Sequence, residues 1–206
     1  MLYVLQSSHP RDGNHHYSRY RSRTGGAFDI LAEMEDTRNV IDEYKHMPIE
    51  EIVADLDAHG VELEIAIENL ERDFNMGTIV RSANAFGVRH VHVIGKRQWN
   101  KRGAMMTDKY LHLHYHLTID DFVSAMSSKA LVVIDNVRES KPLSQTRLPQ
   151  HCVMIFGAEG PGVSSELREH AVQMIAIEQF GSTRSVNVGV AAGIAMYAWL
   201  QQYRLK

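Results

Sequence analysis

The chain has 206 residues, of which 44% are hydrophobic and 23% charged, and its formal net charge is -3 at pH 7. These totals exclude a disordered chain and predict one domain with an N-terminal extension. The single cysteine, Cys152, excludes an intrachain disulfide and a zinc site built from several cysteines. The apolar run Leu2–Leu5 is too short for a signal-peptide core, and no later run could span a bilayer, so we expect a cytoplasmic protein.

The small net charge conceals a strong segregation of charge along the chain. Residues 1–26 carry four arginines against one acid, residues 28–73 carry fifteen acids against three bases, and residues 96–109 carry five bases against one acid. The two basic segments, the first with Tyr17 and Tyr20 among its arginines, are suited to a polyanion. A solvated arm and a solvated loop remain the alternative.

The elements follow a polar arm, His9–Gly26, that ends in Gly-Gly. Helical spacing predicts helices at Phe28–His46 and Ile49–His59, separated by Pro48, and alternation predicts a strand at Val61–Asn69. Further strands are predicted at His90–Gly95, Leu111–Leu117, Ala130–Asp135, Cys152–Gly157 and Val172–Ile177, and further helices at Met76–Phe86, Ile119–Ser127, Ser164–His170 and Val188–Tyr203. This alternation predicts an α/β domain with a mostly parallel sheet and helices on both faces.

Two sets of side chains have a structural and a chemical interpretation. Cys152 lies in the apolar run HCVMIF and is interpreted as a core thiol, with a nucleophile as the alternative. Five histidines alternate with apolar residues, as on one exposed strand face: His90, His92, His112, His114 and His116. We interpret them as facing solvent or RNA, with a metal site as the alternative.

Three strand-to-helix junctions are unusual, and in parallel sheets ligands bind at such junctions. In the first, Asn75 precedes a helical pattern and can cap it, and Gly77 permits a close approach to the backbone. Arg81 interrupts the apolar face of this helix. It is either a surface arginine or a cation held near the sheet edge to meet an anion or activate a hydroxyl.

The second junction contains three glycines in the six residues of Gly157–Gly162. Val163 stands where a Walker loop requires lysine, and the GxxGxG spacing is not that of a dinucleotide fingerprint. Glu159 would repel phosphates, so the loop is better suited to a cationic or hydroxyl-bearing ligand.

The third junction, Ile177–Met196, combines many hydrogen-bonding groups with small residues. Ser185 can cap the last helix, and Asn187 follows two residues later. The small residues predict close helix packing and are Gly189, Ala191, Ala192 and Gly193.

Together the three junctions resemble the motifs of the SpoU-like (TrmH) family of the SPOUT superfamily. The first motif stands as Asn75-Met76-Gly77, Arg81 and Ala85-Phe86-Gly87, the second as FGAEGPG, and the third as Gly181 followed by SVNVGVAAGI. The resemblance covers Val61 to about Trp199. Val186, Gly189 and Glu178 depart from the usual Leu, Ser and Pro, and Glu178 is expected to alter the polarity of the cofactor pocket.

The resemblance implies an RNA ribose 2′-O-methyltransferase that uses S-adenosylmethionine, acts on tRNA or rRNA and needs no metal. It also implies a C-terminal trefoil knot, which residue patterns alone do not predict, and a homodimer in which the last helix and the helix of the first motif pack across the two-fold axis. Residues 1–60 are predicted to be an N-terminal extension and residues 61–206 the methyltransferase domain.

The resemblance also implies the site residues. Arg81 is expected to bind an RNA phosphate and stabilise the developing alkoxide, with a deprotonated arginine acting as base as the alternative. Asn75, Glu159, Ser185 and Asn187 are expected to orient Arg81 and the ribose. The expected cofactor-binding residues are Phe156, Gly157, Ile177, Gly181 and Val186.

Two other functions remain open from the sequence. One is a nucleotide-binding α/β enzyme of another kind, which the glycine spacing disfavours. The other is a non-catalytic RNA-binding protein of the same fold, which the five candidate catalytic residues disfavour. For the RNA ribose methyltransferase, the arm His9–Arg23 and the loop Lys96–Lys109 are the segments expected to bind RNA.

Overall fold

Seven parallel strands form the centre of the fold in a computed structural model that describes residues 36–69, 75–158 and 160–205. Thr37–Lys206 make up one compact unit. The strands are β1 Glu64–Asn69, β2 His90–Gly95, β3 His112–His116, β4 Ala130–Ile134, β5 Lys141–Pro142, β6 Cys152–Phe156 and β7 Gln173–Ala176. The helices are α1 Ile49–His59, α2 Asn75–Ala85, α3 Ile119–Ala125, α4 Ser165–Glu169 and α5 Val188–Tyr203.

The strand order is β3-β2-β1-β6-β4-β7-β5, and every strand pair is parallel. The predicted strands and helices from Val61 onward are confirmed, with ends that move by a few residues. The mostly parallel sheet is confirmed as well. The two-residue strand β5 was not predicted, because so short a segment, which ends in a proline, gives no periodic signal.

The two faces of the sheet are covered by different helices. In β6, Met154 and Phe156 belong to the core on the side of α2 and α5, whereas Val153 and Ile155 pack on the side of α3 and α4. Strands buried on both faces are continuous apolar runs, which is the form that β4 and β6 take. Cys152 is fully buried in this core, and burial raises its pKa to about 12, so the core-thiol interpretation is confirmed.

Helix α5 packs closely on α2, as its small residues predict. A Cβ on Gly189 would lie 3.0 Å from Cγ2 of Thr78, and Ala192 and Ala195 are fully buried. The contact matters for function because α2 and α5 begin at the same edge of the sheet. It sets the starts of the first and third motif helices side by side.

The predicted helix Phe28–His46 is wrong over its described part, and residues 28–35 lie outside the described residues. Residues 36–46 contain only a 3-10 turn at Asp42–Tyr44. The Arg38 guanidinium donates to the carbonyl oxygens of Met47 at 2.8 Å and Tyr44 at 3.1 Å. These side-chain bonds to the backbone replace the helical ones.

The histidines of β2 and β3 do share one face, but that face is not exposed throughout. His92 is buried, and its Nε2 lies 2.9 Å from Oε2 of Glu64, which Lys129 also contacts. Phe122 of α3 packs edge-on against His92 and His116. The interpretation of the histidines as facing solvent or RNA is therefore wrong for His92, whose imidazole is an internal partner of a buried carboxylate.

Among the described residues, no helix is both long enough and apolar enough to cross a bilayer. In the same part of the chain, no group of three or more His, Cys, Asp or Glu side chains is arranged to hold a metal ion.

Candidate active site

A cavity of about 430 Å³ lies at the carboxyl edge of the sheet, beyond the ends of β4, β6 and β7. Its volume is in the range of small-ligand sites. The described residues that line it are Ile134, Asp135, Asn136, Gly157, Ala158, Gly160, Gly162, Ile177, Gln179, Ser185, Val186, Asn187, Val188 and Ala191. Two of the three junctions singled out in the sequence therefore form its walls.

The first and third junctions are joined by a hydrogen bond beside this cavity. Nδ2 of Asn187 donates to Oδ1 of Asn75 at 2.9 Å, across 112 residues of sequence. Asn75 is the first residue of α2, and Asn187 caps α5. The bond fixes which way both amides face, because an asparagine amide offers donors at one end and acceptors at the other.

Asn187, and not Ser185, caps the last helix. Its Oδ1 accepts from the backbone N–H groups of Gly189 at 3.0 Å and Val190 at 3.3 Å. The expectation that Ser185 is the cap is therefore wrong, because the helix begins at Val188 and the cap is the residue directly before it. Ser185 is exposed on the cavity wall instead.

The second junction folds tightly back on itself. A Cβ on Gly157 would lie 2.1 Å from the carbonyl carbon of Gly162, and Ala158 pairs with Gly162 in an antiparallel bridge. Gly160 and Gly162 have φ of 98° and 72°, a region that favours glycine. The glycines thus allow the loop to pack closely on itself, and the backbone of the loop faces the cavity.

Two carboxylates from neighbouring strands secure the end of this loop. Oδ2 of Asp135, after β4, accepts from the N–H of Val163 at 2.9 Å. Oε2 of Glu68, in β1, accepts from the N–H of Ser164 at 2.8 Å. Because β6 lies between β1 and β4, its loop is held from both sides.

Arg81 lies on α2 and is exposed. Within the described residues its guanidinium forms no hydrogen bond or ion pair. Gly77, one turn earlier, packs against the basic loop Lys96–Lys109: a Cβ there would lie 2.6 Å from the backbone nitrogen of Ala104. The close approach that Gly77 permits is therefore to this loop, which brings the loop beside α2.

The predicted site residues are only partly brought together. Gly157, Ile177, Ser185, Val186 and Asn187 line the cavity, and Asn75 is bonded to its rim. Phe156 is fully buried in the core, and Gly181 lies on the exposed loop, where an added Cβ would meet no atom within 4 Å; neither is a lining residue. Glu159 lies outside the described residues.

Glu178 contacts Ser144, whose backbone N–H donates to Oε1 at 3.3 Å. The hydrogen bond from the Ser144 hydroxyl lowers the pKa of this carboxyl. Both residues line a neighbouring groove, together with Tyr197, and not the cavity. The expected effect of Glu178 on the polarity of the cofactor pocket stays a prediction.

Three polar lining residues were missed: Asp135, Asn136 and Gln179. The first two follow β4, and the rule that ligands bind beyond the carboxyl ends of strands could have identified them. Their sequence, without glycine or a helix signal, gave no other indication.

The sequence profile of the SpoU rRNA Methylase family matches residues 62–197. The tRNA (guanosine(18)-2'-O)-methyltransferase of Escherichia coli strain K12 is 27% identical over 144 residues, which are 66% of this chain and 62% of that protein. The 23S rRNA (guanosine-2'-O-)-methyltransferase RlmB of Salmonella typhi is 26% identical over 166 residues, 78% of this chain and 67% of that protein. The chain thus spans less than two thirds of the Escherichia coli relative.

Solved structures show the same fold. The TrmH/SpoU tRNA modifying enzyme of A. aeolicus aligns with a TM-score of 0.65 at 24% identity, over 75% of this chain and 83% of that one. An AdoMet-bound rRNA methyltransferase of Sinorhizobium meliloti aligns with a TM-score of 0.62 at 20% identity, over 68% and 56%. With a family profile that matches most of its length and all three junctions at one edge of the sheet, this chain belongs to the SpoU rRNA methylase family.

Proposed function

We propose that the protein transfers a methyl group from S-adenosylmethionine to a ribose 2′-hydroxyl of tRNA or rRNA. The observation that carries the proposal is the bond between Asn75 and Asn187, which joins the first and third motifs beside a cavity walled by the second and third. The named activities of the two relatives, one on tRNA and one on 23S rRNA, support both substrate classes.

The cavity is suited to S-adenosylmethionine. Backbone groups of the Gly157–Gly162 loop are available to the polar parts of the ligand, and Ile177 and Val186 offer apolar contacts. When bound, this ligand supplies a methyl group already activated by attachment to a positively charged sulfur. What the chain must add is the position of the ribose and help with its proton.

Arg81 is the residue proposed to act on the ribose. Its exposed guanidinium would bind the neighbouring phosphate and stabilise the negative charge that grows on the 2′-oxygen as the hydroxyl loses its proton. The bound ligand would supply the methyl group and keep the electron pair of the broken carbon–sulfur bond on sulfur, and the hydroxyl proton would pass to solvent. Asn75, Glu159, Ser185 and Asn187 are proposed to orient the reacting groups through hydrogen bonds.

RNA is proposed to bind along the loop Lys96–Lys109 and the arm His9–Arg23, of which the arm lies outside the described residues. Within the loop, Arg97 stacks on Tyr115 at 4.7 Å from the ring centroid, and Lys101 lies 5.6 Å from that of Trp99. Cations laid on aromatic rings form a surface that can meet both phosphates and bases. The packing of this loop on Gly77 places it beside the helix that carries Arg81.

The trefoil knot is part of the proposal. Strand β7 lies between β4 and β5, although β5 follows β4 directly in the chain. After β7, the chain returns to the β4–β5 connection, where Nδ2 of Asn136 donates to the carbonyl oxygen of Arg184 at 3.4 Å. This crossing supports a threaded C-terminal segment.

A homodimer is proposed on the outer face of α5. Val190, Ile194 and Tyr197 are between 41% and 52% exposed there, which is unusual for three apolar side chains on one helix. Gly193 lies among them and would permit a close approach of a second helix. The division of the chain after residue 60 and the cytoplasmic location stay predictions.

The test is methyl transfer from labelled S-adenosylmethionine to separate pools of unmodified tRNA and rRNA. We expect label in one pool that survives alkali, since 2′-O-methylation blocks cleavage at that nucleotide, and a loss of about 100-fold or more in Arg81→Ala. Arg168→Ala, on α4 across the sheet, is the matched control and should keep its activity. Label on bases, or equal activity of both variants, would contradict the proposal.

A protein that binds RNA without modifying it would give a different result. It would retain RNA binding and show no transfer to either pool, with or without Arg81. RNA affinity at low and high salt, measured with and without residues 1–25, tests the proposed role of the arm, because phosphate contacts weaken as salt rises.

A further inference from the structure

The described part of the cavity wall carries one charged side chain. Of the described residues that line the cavity, Asp135 alone is acidic or basic. It directly follows β4, so its backbone position is fixed by a buried strand. The remaining described walls are backbone, small residues, apolar side chains and uncharged polar groups. Within the described walls, Asp135 is thus the one fixed negative charge; Glu159, between the lining residues Ala158 and Gly160, lies outside the described residues.

The carboxylate is held rigidly but its charge is not neutralised. Oδ1 accepts from the N–H of Asn136 at 2.7 Å, and Oδ2 accepts from the N–H of Val163 at 2.9 Å. A Cβ on Gly162 would lie 2.4 Å from Oδ2, so the carboxylate lies directly against the loop that walls the cavity. Among the described residues, no lysine, arginine or histidine forms an ion pair with Asp135.

We infer that Asp135 is a specificity-determining residue that makes the cavity prefer the sulfonium form of its ligand over the neutral thioether left after methyl transfer. This inference rests on the proposed function. S-adenosylmethionine and S-adenosylhomocysteine differ by one methyl group and one positive charge at sulfur, while their other charged groups are the same. A carboxylate in the wall therefore attracts the positively charged sulfur of S-adenosylmethionine, a charge that S-adenosylhomocysteine lacks.

The distances allow this effect. A cavity of this volume is on the order of 10 Å across, similar to the Debye length of about 10 Å at 0.1 M salt, so counter-ions screen the wall incompletely. Field lines in a partly enclosed site are also less weakened than in bulk water. The preference would favour binding of S-adenosylmethionine and release of S-adenosylhomocysteine, and it requires no movement of the loop.

The test compares two dissociation constants in each variant by titration calorimetry, one for each ligand. In Asp135→Asn we expect the affinity for S-adenosylmethionine to fall about tenfold relative to that for S-adenosylhomocysteine, the size of a one-unit pKa interaction. A role limited to holding Val163 would weaken both ligands equally. Glu169→Gln is the matched control, since it removes a negative charge from the exposed end of α4, away from the cavity, and should leave the ratio unchanged.

Two measurements keep the test valid if Asp135→Asn folds poorly. In Asp135→Glu, which keeps the charge but moves it, the ratio should stay near that of the natural chain even where both affinities fall. In the natural chain, raising the salt concentration should reduce the ratio.

The outcomes separate this inference from the function on which it rests. A parallel loss of both affinities in Asp135→Asn, a salt-independent ratio, or the same selective loss in Glu169→Gln would overturn the inference alone. A natural chain that binds neither ligand would overturn the proposed function, and the inference with it.

Discussion

The two loops that wall the cavity are built in opposite ways. The loop after β6 is packed against itself and is tied to its neighbours by Asp135 and Glu68. The loop after β7 has Phe180 98% exposed, and residues 180–185 are all exposed. The comparison indicates that the described part of the first wall is held by contacts within the chain, whereas the second wall is exposed over residues 180–185.

The difference between the two loops is tested most directly by replacing one glycine with alanine in each loop. We expect Gly157→Ala to lower the free energy of unfolding by about 3 kcal/mol, because its Cβ would overlap the backbone of Gly162. Gly181→Ala, whose Cβ would meet nothing within 4 Å, should change it by less than about 0.5 kcal/mol. Urea unfolding measures both, and similar values for the two variants would contradict the distinction.

The second prediction concerns the point where the exposed loop becomes helical. Asn187→Ala removes the cap of α5 and should cost about 1 to 2 kcal/mol, whereas Ser185→Ala should cost less than about 0.5 kcal/mol. Thermal unfolding of both variants measures this. If Ser185→Ala cost as much as Asn187→Ala, the ordered structure would extend further back into the loop.

The third prediction, with the smallest expected effect, concerns the pH dependence of stability. We expect the loss of stability in acid to come from the histidines of β2 and β3 and not from either loop. Partial loss of hydration beside the stacked imidazoles, together with the neighbours His92 and His90, lowers the pKa of His114 to about 4, and the same loss of hydration lowers the pKa values of His90 and His116. The folded chain then binds fewer protons than the unfolded chain between about pH 6.5 and 4. Stability from this face is therefore complete above pH 6.5 and is lost as the pH falls towards 4.

Unfolding by urea at several pH values tests this prediction. His114→Gln should flatten the dependence of stability on pH between 6.5 and 4, and His170→Gln, at the exposed end of α4, is the control. An unchanged slope in His114→Gln would show that the acid-sensitive groups lie elsewhere.

Much of the fold follows from local patterns. The run Cys152–Phe156 predicts a buried strand because all five residues are apolar, and Pro48 marks the start of α1. The order of the strands was beyond sequence reasoning, since the pairing of β7 with β4 and β5 depends on contacts between distant segments. The burial of Glu64 was missed because its partners, His92 and Lys129, are 28 and 65 residues away.

The parts of the site that could be predicted are those where glycines or helix-capping residues occur in the sequence. The three junctions were identified from the sequence, but their internal geometry was not. The tight packing of Gly157 on Gly162 and the choice of Asn187 over Ser185 as the cap depend on backbone angles that no residue pattern specifies. Asp135 was missed because a single acid at the end of a strand is a common feature.

The position of β7 also has a consequence for biosynthesis. A ribosome releases residues 130–142 well before residues 173–176, yet the later strand separates β4 from β5 in the sheet. The native pairing of β4 and β5 with β7 therefore cannot form until residues 173–176 have been made, and until then the apolar strand β4 lacks one of its two neighbours. The sheet can therefore be completed only after β7 has been synthesised, because β7 occupies the position between β4 and β5.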